Sequence, residues 1–218
     1  MRSLFEYTSV YNIKNAMRGM RNPKNSWAKN DTYESVYKNV HGDIFIDAYI
    51  GPNDMDLATR LIKAGPEHRK FLQQIFICVD IVLPRAIWQE FDTYRVGVTK
   101  NSCSTMHKIQ DHLLDETDFD DGIDPRMIAT VNEYIERYQQ SKSVSDLDIL
   151  KKQLPEGFLQ RRTVTMNYEN VMNMFRQRMH HRMPHWRVDF CNWALSLPYM
   201  RDFLLAAGII NEDYQPQE

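Results

Sequence analysis

Four segments hold side chains whose types and spacing could do chemistry. Within residues 167–182, Tyr168, Val171, Met172, Phe175 and Met179 recur at helical spacing and form one apolar face. At about 100° per residue, Asn167, Met174 and Arg178 fall on one flank of that stripe, so Arg178 stands where the buried face meets the polar side. A guanidinium there either points into a cleft and holds a phosphate bidentately, or covers apolar surface with its head in water. His181, His185 and Asp189 follow at i, i+4 and i+8, and two His with a carboxylate are metal-ligand types. Pro184 cannot sit inside a helix without removing a backbone bond, so that spacing spans a break. Surface or phosphate-facing His is the other reading, and no metal is expected.

The third segment is NSCSTMH, residues 101–107. Its hydroxyls, amide and thiol can line a small-molecule site. Cys103 is either a nucleophile with His107 near it in sequence, or a buried, inert thiol in a polar loop. The fourth is residues 7–30, with Lys14, Arg18, Arg21, Lys24 and Lys29 and no acid among them. Arg18 and Arg21 can bind phosphate, or the stretch is a solvated charged arm; it lacks the interleaved aromatics of a single-strand binder. The acidic counterpart, Asp111, Asp115, Glu116, Asp118, Asp120, Asp121 and Asp124, lacks calcium-loop spacing and reads as a solvated loop. The chain has no GxGxxG, no GxxxxGK[ST] and no GxSxG, so neither a doubly wound dinucleotide fold, nor a P-loop, nor a nucleophile elbow is indicated.

These segments need elements to hold them. The chain has 218 residues, enough for one ordinary domain that buries most of its apolar surface. Hydrophobic residues at 43% and charged residues at 26% exclude wholesale disorder. A net charge of −2 argues against a generic nucleic-acid binder. Cys78, Cys103 and Cys191 are scattered and form no CxxC, which argues against a disulfide framework or zinc site and makes the cytoplasm the default. There is no secretory signal and no apolar run long enough to span a membrane. The pattern predicts a strand over 43–50, then a helix to about Ala64 with Asn53 or Asp54 as N-cap, stopped by Gly65-Pro66. A strand over 71–83 follows, then a helix opened by Pro84, and a loop or irregular strand over 96–106. Pro125 starts a helix to about Gln140, and a second begins near Ser145 as N-cap and ends before Leu154. Residues 158–166 read as extended; 167–182 and 185–206 read as helices parted near Pro184.

Two regions together resemble the flavin-dependent thymidylate synthases. In LPEGFLQRRTVTMNYENVMNMFRQR, residues 154–178, a Leu-Pro and an extended segment lead into the family's T-x-N-x-R-x-L-x-N-F-x-x-x-R helix. Thr165, Asn167, Asn173 and Arg178 fall at its places without a gap, and Glu169 stands where the family has an Arg that touches flavin. In residues 61–107, Thr93-Tyr94-Arg95 occupies the place of the family's Arg-His-Arg, and eight residues lead to Ser104, with Met106 at the place of a further Arg. The resemblance implies an α/β fold: a mainly antiparallel sheet flanked by helices, one domain over 1–218. It also implies a homotetramer with sites shared between subunits, acting on a pyrimidine nucleotide, with no membrane or nucleic-acid partner. The implied reaction makes dTMP from dUMP, with methylenetetrahydrofolate as one-carbon donor, NADPH as reductant and FAD bound, and no enzyme nucleophile. By the same resemblance Arg178, Lys151, Ser104 and Asn101 bind substrate, while Arg95, Tyr94, Asn167 and Asn173 face FAD. Each Arg lost from a phosphate site costs charge-assisted bonds worth roughly 1.5–3 kcal/mol. Arg18, Arg21, Arg161, Arg162, Arg182 and His107 are candidates to replace them. Otherwise the substrate is another pyrimidine nucleotide, or the chain is a nucleotide-binding protein that has lost catalysis.

Overall fold

Turn residues and apolar spacing set most element boundaries in the computed structural model, which describes residues 4–38, 44–105 and 108–216. The chain begins β1 (Phe5–Tyr11), α1 (Ile13–Gly19), two 3₁₀ turns, β2 (Tyr33–Lys38), β3 (Ile44–Tyr49) and α2 (Pro52–Ala64). A 3₁₀ turn at Lys70–Gln74 leads into β4 (Phe76–Pro84), α3 (Arg85–Phe91) and β5 (Thr99–Ser102). Then come α4 (Pro125–Ser141), α5 (Val144–Lys152), β6 (Leu159–Asn167) and α6 (Tyr168–Arg178). A π-helical turn at His185–Phe190, α7 (Cys191–Ser196) and α8 (Met200–Ala206) complete it. Four strands form a sheet in the order β1–β4–β6–β5. Strands β2 and β3 form a separate antiparallel pair, with Tyr33 opposite Tyr49 and Lys38 opposite Ile44. The whole is a mixed α/β fold with an antiparallel sheet flanked by helices. No helix among the described residues is long and apolar enough to cross a membrane.

The chain divides into two compact units: Met1–Tyr7 with Val79–Val164, and Thr8–Cys78 with Thr165–Glu218. In the first, α4 turns Ile128, Val131 and Ile135 inward at helical spacing, and Leu150 of α5 joins them with Leu114, Phe119 and Leu154. In the second, α6 buries Tyr168, Val171, Met172, Met174 and Phe175. Phe203 of α8 meets Tyr168 edge-on at 6.2 Å and Phe71 at 6.0 Å between centroids.

Several boundaries depart from the sequence pattern. The N-cap residue of α2 is Gly51, and its own backbone makes no side-chain cap. Asp31 caps the helix from a distance: its carboxylate accepts from the Asn53 N–H at 2.8 Å and the Asp54 N–H at 3.0 Å. Burial opposes charge on Asp31, but those two N–H bonds outweigh it and hold its pKa below the ordinary value. Asp54 is instead fully buried, bonded to Arg21, which is 4% exposed, so Arg21 departs from the solvated-arm expectation while Lys14, Arg18, Lys24 and Lys29 are exposed as that reading expects. Ser143, not Ser145, caps α5 by accepting from the Asp146 N–H at 3.1 Å. The expected helix over 185–206 is a π turn and two short helices, ended at Leu197 because Pro198 disfavours a helical Leu197 and Tyr199 adopts φ 59°. The stretch 71–75 is largely 3₁₀ rather than strand. A Cβ at Gly51 would meet Asp31 Cγ at 2.3 Å and its carbonyl oxygen at 2.6 Å. Gly51→Ala is therefore expected to lower unfolding free energy by about 1–3 kcal/mol, measured by urea melts.

Candidate functional site

The second unit positions three of the sequence-derived candidates, all on or at α6. Asn167 begins the helix in a reciprocal box: its side chain accepts from the Asn170 N–H at 2.9 Å, and Asn170 accepts from the Asn167 N–H at 3.1 Å. Asn173, half-buried, donates Nδ2 to Glu169 Oε1 at 3.1 Å. Arg178 is the last residue of the helix, also half-buried, with its Cζ 4.7 Å from the centroid of the Trp186 ring. Trp186 is 1% exposed, so the guanidinium lies over a buried aromatic ring, an arrangement that suits both an Arg covering apolar surface and one held at the edge of a cleft. Met174, placed by helical geometry on the same flank as Arg178, is fully buried, which draws that flank inward.

Sequence spacing gave no sign of the group beside Asn173. Arg69 and Glu169, each 8% exposed, form a side-on pair, Nε to Oε2 at 2.9 Å and Nη2 to Oε1 at 2.8 Å. The partners are 100 residues apart, and no local pattern links them. His181 and His185 are separated by the break before the π turn, and among the described residues no three His, Cys, Asp or Glu side chains form a metal-holding group.

The first unit holds the other candidates. A cavity of about 120 Å³ is lined by Cys103, Ser104, Thr105, Lys108, His112 and Arg161 on its polar side and by Ile109, Leu114, Phe158 and Leu159 on its apolar side. Two bonds fix its wall: the Cys103 N–H donates to the Arg161 carbonyl at 3.0 Å, and Gln160 Nε2 donates to the Cys103 carbonyl at 2.9 Å. Ser104 lines this cavity; Asn101 is exposed on β5, and Lys151, half-buried near the end of α5, does not line it. Cys103 is exposed, which overturns the expectation that its thiol is buried. Met106 and His107 lie outside the described residues. Tyr94 is half-buried against Phe91, and its carbonyl accepts from Lys100 Nζ at 3.2 Å. Arg95 is exposed and donates Nε to the Asp92 carbonyl at 3.3 Å; it has no carboxylate partner among the described residues.

Three of the six cations proposed to replace the missing Arg residues, Arg21, Arg161 and Arg162, are already committed. Arg162 donates Nη1 to both Asp92 oxygens, at 2.9 and 3.0 Å, and stacks 4.2 Å from the Trp88 centroid. Arg161 pairs with Glu6 at 2.7 Å and Asp80 at 3.2 Å. Arg21 pairs with Asp54 at 2.6 Å. Arg18 is exposed beside Trp27, and Arg182 is exposed. Burial pushes the Asp92 pKa up, yet Arg162 and Lys100 outweigh it and hold it below the ordinary value. A carboxylate with a depressed folded pKa stabilises the fold above its unfolded pKa and loses that contribution as pH falls through the folded value. Stability is thus expected to drop on acidification below about pH 4, and Asp92→Asn should flatten that drop in urea melts across pH.

Neither a family model nor a curated protein sequence matches the chain. Solved structures do. Thymidylate synthase X from Helicobacter pylori, crystallised with FAD and dUMP, matches with a TM-score of 0.64 and 15% identity, covering 91% of this chain and 96% of its own. A second structure of that flavin-dependent enzyme, also complexed with FAD and dUMP, gives a TM-score of 0.66 at 15% identity over 90% and 94%. The UMP/dUMP methylase PolB from Streptomyces cacaoi, bound with 5-Br dUMP, gives 0.61 at 13% identity over 96% and 98%. The chain has the fold of the flavin-dependent thymidylate synthases.

Proposed function

We propose that the chain is a flavin-dependent enzyme that methylates dUMP to dTMP. Methylenetetrahydrofolate is the one-carbon donor and NADPH the reductant, and residues 1–218 act as one domain within a cytoplasmic homotetramer with shared sites. The observation that carries this is Arg178, held on the buried Trp186 ring at the end of the helix that bears the ungapped Thr165–Arg178 motif. A fold match covering nine-tenths or more of both chains supports it.

The donor set fits a flavin dinucleotide. The pyrophosphate asks for a cation without a carboxylate partner, and Arg95 is one among the described residues. The ring asks for amides, and Asn167 and Asn173 each use one side of the amide within α6. Arg95, Tyr94, Asn167 and Asn173 would hold the cofactor. The chemistry FAD supplies when bound is hydride delivery after reduction by NADPH. Arg178 and Lys151 bind the substrate phosphate and base, and Ser104 and Asn101 hydrogen-bond the nucleotide. The fixed orientation of Arg178 on Trp186 limits the freedom lost on binding.

The test is FAD uptake by the purified protein, followed by mass-spectrometric product analysis with dUMP, methylenetetrahydrofolate and NADPH. Appearance of dTMP is expected; no flavin uptake and no product would refute the proposal. Cys103→Ser is expected to leave kcat/KM largely unchanged, since no thiol attacks the base; complete loss of turnover would establish covalent catalysis instead. One observation favours a second reading. Arg161 and Arg162 are tied up in ion pairs and do not replace the missing cations, which suits another pyrimidine nucleotide or a binder without catalysis. Turnover of dCMP or UMP, or nucleotide binding without rescue of a thymidine auxotroph, would separate these.

A further inference from the structure

The Arg69–Glu169 pair does more than fill space in the second unit. A buried ion pair is expensive to desolvate, and an apolar pair of like volume often stabilises a fold equally well. Its geometry has a consequence for Asn173. Glu169 Oε1 accepts from Arg69 Nη2 at 2.8 Å and from Asn173 Nδ2 at 3.1 Å. A carboxylate in an ion pair only accepts, so the Asn173 amide must turn its NH₂ toward Glu169, which settles the O/N ambiguity of this side chain. The Oδ1 of Asn173 then faces the other way, and among the described residues no protein donor bonds to it. Arg69 in turn holds Glu169 by two parallel bonds, so the carboxylate cannot rotate to release the amide.

We infer that Arg69 and Glu169 are positioning residues that lock Asn173 with its carbonyl oxygen outward, so that the ring it meets must present an N–H donor, as an imide does at its ring nitrogen. This rests on the proposed flavin and nucleotide chemistry. Both isoalloxazine and uracil carry such an N–H at ring position 3, whereas the cytosine ring carries a lone pair there. The clamp therefore favours a ring that turns its position-3 N–H toward Asn173, whichever of the two occupies the place.

The experiment compares affinities by calorimetry for four probes: FAD, N3-methyl FAD, dUMP and N3-methyl dUMP. In the wild type, methylation is expected to weaken one of the two ligands at least about tenfold, the cost of leaving a buried acceptor without its donor. Whichever ligand responds is the one that faces Asn173. In the double variant R69M/E169Q, which leaves no buried charge unpaired, the parent-to-methyl ratio is expected to shrink toward one while the melting temperature holds. A ratio unchanged from wild type in the folded double variant would overturn the clamp. So would equal affinity of the wild type for parent and methylated forms of both ligands, a result that needs no variant to fold. Wild type that binds neither FAD nor dUMP would instead refute the function on which the clamp rests.

Discussion

Asp54→Ala is expected to cost about 3–5 kcal/mol of unfolding free energy, because it breaks a buried ion pair and strands the partner charge. Asp54 is 0% exposed and Arg21 4%. One Asp54 oxygen accepts from Arg21 Nε at 2.6 Å; the other accepts from the Asn30 side chain, the Asp31 N–H at 3.1 Å, the Thr32 N–H at 2.9 Å and the Thr32 hydroxyl at 2.6 Å. One carboxylate thus pins α2 to the turn before β2. Arg21 Nη2 already lacks a partner, so loss of Asp54 leaves a guanidinium with few bonds in the interior. Urea melts measure the loss. The double variant R21M/D54L, which removes both charges, is expected to recover much of it. A loss under about 1 kcal/mol for Asp54→Ala would mean that water reaches Arg21 at little cost.

Arg178→Ala is expected to weaken dUMP binding by about 2–5 kcal/mol, the range for truncating one partner of a desolvated charge pair. That corresponds to at least about thirtyfold in Kd. The effect should appear with little change in melting temperature, since Trp186 stays buried by Phe190, whose ring is 5.5 Å away. Arg178→Lys should recover charge but not the stacked, forked geometry, and so only part of the affinity. Trp186→Leu should weaken dUMP binding in the same direction by loosening the guanidinium.

What was legible in the sequence was local. Helix α4 is bounded by Pro125 and shows its apolar period plainly, and β6 runs into α6 where the extended pattern gives way to the helical one. The position of Arg178 at the edge of a buried face followed from helical spacing, and the half-buried side chain on Trp186 agrees with it. What was not legible depends on partners distant in the chain. Asp31 caps a helix that starts 21 residues later, so Asn53 and Asp54 looked like caps when the acceptor lay elsewhere. Of the cations in the basic run Lys14–Lys29, Arg21 alone is buried, and it looked solvated because Asp54, which neutralises it, is 33 residues away. Arg69 drew no attention for the same reason, although it meets Glu169 in the interior. Polar residues betray burial only through partners, and one-dimensional patterns do not contain them.

The central claim is that Arg178 grips a pyrimidine nucleotide beside a bound flavin. Its most direct measurement is the visible absorption spectrum of the FAD-loaded protein before and after adding dUMP, in wild type and Arg178→Ala. The expected result is retained flavin absorbance in both, with a dUMP-dependent shift of the flavin bands in wild type that needs far more nucleotide in the variant. Protein that retains no FAD, or a dUMP response identical in the two, would contradict it.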